Sequence, residues 1–198
     1  MLYSFLDRLS GAAYRDLARH VRNHNHDYDP ERGVLLIDNI RISGRVMVSQ
    51  NGKYEVFSNA LSDEGRKHIL DVIIGTASKI DNWYMAPASG NVSYQTSWTS
   101  ANFASNATEL TTQYTNSTRI LYVDNAAQTV GGVMSNSDAP FEVTSVVDNV
   151  TLWGGGLLSV STKAATTGTL LSLVKFAAAR TLVTAGDSLQ IAWPITLN

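Results

Sequence analysis

The residues in this chain best suited to hold a metal are His24, His26 and Asp27, in the run Asn23-His24-Asn25-His26-Asp27-Tyr28-Asp29-Pro30. Alternating histidines on an extended strand point to one side, and Asp27 adds an oxygen ligand. A catalytic zinc wants three such ligands and an open position. The spacing matches no established zinc motif, and the Asn, Asp and Pro residues account for the segment as a turn without any metal. A solvated or partner-contacting loop is therefore the expectation. The chain has no cysteine, which excludes disulfides, thiolate nucleophiles and cysteine-held metals.

Other chemistries fare no better. Gly-x-Ser-x-Gly is absent, so no nucleophile elbow can be placed. The triplet Gly154-Gly155-Gly156 is not followed by the Gly-Lys-Ser/Thr of a phosphate loop. It reads as a bulge or a close backbone crossing within a strand. Six acidic residues are scattered over 83–198, and a solvated loop position is the default for each. Four aromatics, Tyr94, Trp98, Phe103 and Tyr114, fall in a Ser/Thr/Asn-rich stretch. Such rings can stack on sugars or anchor a partner protein; the competing reading has them cover one end of the domain. Trp83, Trp153 and Trp193 sit in apolar strand patterns and are expected in the core. No catalytic set and no cofactor are expected.

Charge is unevenly spread. Residues 1–82 hold 11 acidic and 11 basic side chains, against 6 and 4 in 83–198. All four histidines lie in the front part. The formal net charge of -2 gives no global pull toward nucleic acid or an anionic membrane. No apolar run approaches the roughly 20 residues that span a bilayer. The opening Met1-Leu2-Tyr3-Ser4-Phe5 lacks the basic region of a secretory signal, so synthesis in a reducing cytoplasm without export by that route is expected.

The elements that must position these residues follow from periodicity. Leu2, Phe5, Leu6, Leu9, Ala13, Leu17 and Val21 recur at spacings of three and four, which predicts an amphipathic helix over 2–22. Arg8, Arg15, Arg19 and Arg22 occupy other faces, interleaved with Asp7 and Asp16. Mixed charge with no aromatic platform favours water or a charged protein surface over nucleic acid. Apolar, β-branched residues from Gly33 to Ile42 predict a strand. Asn51-Gly52 separates two alternating runs, 45–50 and 53–57, and predicts a two-residue type I′ hairpin. Ser62, with Asp63 and Glu64 in the first turn, starts a helix that Gly75 ends. From Trp83 onward strands are predicted over 82–86, 118–123, 129–135, 140–147, 151–161, 170–176 and 188–195. Many short strands and no βαβ rhythm imply a sandwich or barrel.

Three runs carry a resemblance. They are Ser58-Asn59-Ala60-Leu61-Ser62-Asp63-Glu64-Gly65-Arg66-Lys67-His68-Ile69-Leu70-Asp71, then Asn82-Trp83-Tyr84-Met85-Ala86, then Thr184-Ala185-Gly186-Asp187-Ser188-Leu189-Gln190-Ile191. In that order they resemble a family of tailed-bacteriophage capsid decoration, or cement, proteins, with Met-Ala-Pro here where the family usually has a Gly after Trp-Tyr. The resemblance covers about 58–198 and leaves 1–57 outside. It implies a jelly-roll-like antiparallel β-sandwich with one short helix, bound to the outer surface of the phage head and stabilising it by cementing neighbouring subunits of the major capsid protein.

Two domains are thus expected: an N-terminal arm over 1–57, made of the amphipathic helix and the hairpin, and a β-sandwich over 58–198. The expected partners are the major capsid protein and the chain itself, as a dimer or a trimer, with no nucleic acid and no membrane. The expected contact residues are Leu2, Phe5, Leu6, Arg8, Leu9, Arg15, Leu17, Arg19, Val21 and Arg22. The alternative is a carbohydrate- or receptor-binding module of a head fibre or tail, using Tyr94, Trp98 and Tyr114. A head-completion or tail-tube component is a third.

Overall fold

The computed structural model describes residues 26–29, 34–37, 42–73, 75–125 and 133–197. The chain divides into two compact units, 1–41 with Asn198, and Ile42–Leu197. In the first, β1 (His26–Asp29) pairs antiparallel with β2 (Val34–Ile37). The run expected as a turn therefore includes a strand, and Pro30 falls between the two strands of a hairpin. The remainder of the expected helix and loop, residues 1–25, lies outside the described residues.

The second unit is built on one antiparallel sheet. Its elements are β3 (Ile42–Gln50), β4 (Lys53–Leu61), α1 (Asp63–Ile73), β5 (Tyr84–Ala88), α2 (Ser100–Ala107), β6 (Ile120–Leu121), β7 (Val133–Met134), β8 (Phe141–Thr144), β9 (Val150–Leu158), β10 (Leu170–Leu182), β11 (Ser188–Ala192) and β12 (Ile195–Leu197). Strand order is β6-β5-β9-β10-β4-β3-β11-β8, with β12 pairing β3 and β7. The sheet nearly closes on itself. Leu110 N–H bonds Pro87 O at 2.8 Å beside β5, and Thr115 N–H bonds Thr144 O at 3.0 Å beside β8. The segment 109–122 thus spans the gap between the two edges, which limits the exposed-edge problem of an open sheet.

Local signals placed several of these elements. The β3–β4 turn joins Gln50 to Lys53 through Asn51 at φ 52° and Gly52 at φ 73°, the two positive values a type I′ turn requires. The hairpin is nevertheless central in the sheet, flanked by β11 and β10. The boundary expected at 57/58 falls inside β4, and the compact unit begins at Ile42. Gly75 N–H bonds Asp71 O at 3.1 Å, so this residue prolongs the helical bonding and takes no left-handed cap.

Two apolar clusters sit on opposite sides of the sheet. The interior one includes Val46, Val48, Phe57, Phe141, Leu152, Phe176 and Trp193. The outer one lies under α2 and includes Ala86, Ala88, Trp98, Phe103, Leu158, Leu170 and Leu173. Alternation along β9 and β10 explains both: Leu157 faces in and Leu158 faces α2. α2 is an addition to the one short helix expected in the β-domain. Its Ser/Asn-rich composition hides it, but Phe103 and Ala107, one turn apart, are both fully buried, and Thr99 N–H bonds Asn102 Oδ1 at 2.9 Å at its start.

The glycine triplet is a close crossing. A Cβ on Gly154 would lie 2.1 Å from Val174 O, and one on Gly156 would lie 2.6 Å from the Phe103 ring. Pairing with β10 is regular across these three residues, and the register shifts lie on either side of them, between Leu170 and Ser172 and between Lys175 and Arg180.

Candidate partner-binding surface

The run 58–71 is a structural joint. Ser62 is fully buried. Its Oγ accepts from Gly65 N–H at 2.9 Å, capping α1, and donates to Leu170 O on β10. Glu64 Oε2 accepts from Ser100 N–H at 2.8 Å and Leu170 N–H at 2.7 Å. One carboxylate therefore satisfies the first turn of α2 and the start of β10, where a negative charge also suits the helix dipole. Gly65 lets α1 rest on β10, since a Cβ there would lie 2.2 Å from Leu171 O. Gly186-Asp187 is likewise a turn, with Gly186 at φ 97° and Asp187 Oδ2 accepting from Thr184 N–H at 3.0 Å; two strands follow it rather than one.

A buried polar cluster escaped sequence reasoning. Arg119 and Glu109 are 1% and 9% exposed. Arg119 Nε donates to Glu109 Oε1 at 2.9 Å and Nη2 to Oε2 at 2.8 Å. Its Nη1 donates to Val160 O at 3.0 Å and Nη2 to Ala165 O at 3.3 Å. Beside them Lys163 Nζ donates to Thr111 O at 2.5 Å and sits 3.5 Å from the centroid of Tyr114. Burial lowers the Lys163 ammonium, partly offset by the Glu109 charge. Burial, then Glu109, pushes the Tyr114 hydroxyl above its usual range. Each of these groups is taken up in fastening segment 109–119 to 160–165. Glu109 is thus not the solvated loop acid expected; nothing in its flanking residues signals a partner ten positions away.

The four polar-loop aromatics are not displayed. Trp98, Phe103 and Tyr114 are buried, and Tyr94 is half-buried with its ring centroid 5.1 Å from that of Trp98. Tyr94, Trp98 and Phe103 pack in the outer cluster and Tyr114 in the interior one. Trp193 is fully buried as expected; Trp83 and Trp153 are half-buried, Trp153 beneath Lys175 Nζ at 3.9 Å.

This chain matches no protein-family model, no curated protein and no solved structure. The surface therefore has to be read on its own. An apolar groove of about 640 Å³ runs beside α1, lined by Ile69, Val72, Ile73, Ile80, Trp83, Met134 and Ile195. At its rim Ile73 is 70% exposed and Met134 45% exposed. A second apolar surface is the outer face of the β3–β4 hairpin, where Tyr54 and Val56 are 76% and 56% exposed and Met47 lies opposite Val56. The contact residues expected from the sequence, Leu2, Phe5, Leu6, Arg8, Leu9, Arg15, Leu17, Arg19, Val21 and Arg22, all lie outside the described residues, as do His24 and the C-terminal Asn198.

Proposed function

We propose that this protein is a bacteriophage virion structural protein that binds the outside of the capsid and cements neighbouring major capsid protein subunits. The observation that carries a binding role is the exposed apolar surface: Ile73, Val72 and Met134 around the groove, and Tyr54, Val56 and Met47 on the hairpin. Soluble domains rarely leave such patches uncovered unless another protein covers them. The capsid as that partner rests on the resemblance of 58–71, 82–86 and 184–191 to decoration proteins. The role of Ser62, Glu64 and Gly65 at the junction of α1, α2 and β10 accords with a motif that specifies a fold rather than a reaction. On this reading the sheet is the jelly-roll-like body, and the N-terminal stripe with its arginines reaches across adjacent subunits. Many weak contacts repeated over the shell then act together through avidity.

The alternative, a glycan-binding module built on Tyr94, Trp98 and Tyr114, is disfavoured by the burial of those rings. The test is cosedimentation with phage capsids assembled from the cognate major capsid protein. Full-length protein is expected to pellet with the shells. A version lacking residues 1–25 should stay in the supernatant while its β-domain keeps a cooperative unfolding transition. Undiminished pelleting of the truncated chain refutes the arm, and absence of pelleting by the full chain refutes capsid binding.

A further inference from the structure

β3 and β4 pair as far as Arg45 and Ser58. Beyond that point they part. β3 turns to β12, with Gly44 opposite Ile195, and β4 turns to β10, with Asn59 opposite Val174. The fork opens a notch of about 470 Å³, lined by Gly44, Arg45, Ser58, Asn59, Arg66 and Thr96 among others. Gly44 is required at its base, because a Cβ there would lie 2.4 Å from Asn59 Oδ1 and 2.7 Å from Pro194 O.

The side chains converging here are unusual in having little else to bind. Arg66 shares its charge with Asp63 in the first turn of α1. Arg45, Ser58, Asn59 and the Thr96 hydroxyl have no hydrogen-bond or ion-pair partner among the described residues, and no carboxylate lines the notch. The notch is also continuous with the hairpin's outer face, since burial alternates along β3 so that Arg45 and Met47 are exposed while Val46 and Val48 are buried. Arg, Tyr and Met are residue types enriched where proteins dock.

We propose that this notch is a carboxylate-binding site that receives an Asp or Glu side chain of a partner protein. The partner's flanking apolar surface rests on Met47, Val56 and Tyr54. The Arg45 guanidinium supplies planar, paired donors that match a carboxylate, Arg66, already paired with Asp63, adds a second positive charge, and Ser58 and Thr96 supply hydroxyl donors. The proposal rests on the reading of the chain as a docking protein and adds to it the chemistry of one contact.

The test uses full-length, isotopically labelled protein and N-acetylglutamate methylamide as probe, followed by NMR at the arginine Nε–Hε signals. A saturable shift is expected at Arg45, which has no ion-pair partner among the described residues, with none at Arg180, which is occupied by Glu55. Arg45→Gln, a change at an exposed side chain, should weaken the probe about fivefold, the worth of an exposed ion pair in good geometry. Thr96→Val should weaken it less. Linear, non-saturating shifts shared by all exposed arginines overturn the proposal. So does inorganic phosphate saturating the notch more tightly than the carboxylate, which would make it a phosphate site. Capsid pelleting separates the two readings: shells bound equally by wild type and Arg45→Gln, without probe binding, sink the notch and leave the capsid role standing.

Discussion

Replacing Glu109 by Ala is expected to be among the most damaging single changes in this protein. The wild-type guanidinium of Arg119 is 1% exposed and makes four hydrogen bonds, two of them to Glu109. Removing the carboxylate leaves a buried cation without its counter-charge. Breaking one side of a buried pair costs about 3–5 kcal/mol, and losing two charge-assisted bonds at about 1.5–3 kcal/mol each gives the same range. In a domain of this size each kcal/mol moves Tm by about 2–4 °C, so a fall of about 6–20 °C follows. Urea titrations give the free energy directly, with the m-value as a check on two-state behaviour. The loss should be local as well as global. Amide exchange at Leu110 and Thr115, which bond Pro87 O and Thr144 O, should accelerate, because the pair holds the segment that closes the sheet. The double variant Glu109→Leu, Arg119→Met should recover much of the stability, since apolar replacement removes the unpaired charge. A Glu109→Ala protein within about 0.5 kcal/mol of wild type, or a double variant equal to the sum of its singles, would falsify the reasoning.

Stability should fall above pH 10. Burial raises the hydroxyls of Tyr94, Tyr114 and Tyr122 in the folded state, so only the unfolded chain loses these protons near pH 10. Folding is then favoured fully below that pH and loses up to about 1.4 kcal/mol per pH unit per tyrosine above it. Lys163 and Lys175, lowered by burial, act oppositely up to their unfolded value of 10.5 and blunt the onset. Urea midpoints from pH 8 to 11.5 check the slope, and Tyr114→Phe should flatten it; a flat profile in the wild type contradicts the burial argument. Gly156→Ala should cost about 1–3 kcal/mol by overpacking against Phe103, measured by thermal unfolding, with a neutral outcome showing that α2 moves freely on the sheet.

The features legible in the sequence are those set by a few neighbouring residues. Asn51-Gly52 determines its turn because positive φ is tolerated there and in few other residue pairs. Ser62 and the acids after it determine the start of α1 because a free helix terminus needs an acceptor and a negative charge. The strands after Trp83 show through their composition and the turns between them. The resemblance of 58–71 marked a segment of importance, but only the fold shows that Glu64 reaches Ser100 and Leu170, 36 and 106 residues away. α2 was hidden because polar Ser and Asn dominate it, and two buried residues suffice once a sheet face is present to cover. Glu109 reads as a solvated acid because its counter-charge, Arg119, is ten residues away and is itself held by carbonyls at 160 and 165, beyond any local window. The notch is likewise invisible in one dimension: Arg45 and Arg66 line it together only because β3 and β4 leave each other for different partners. Conformational preference is a property of the chain; burial, pairing and the parting of strands are properties of what the chain packs against.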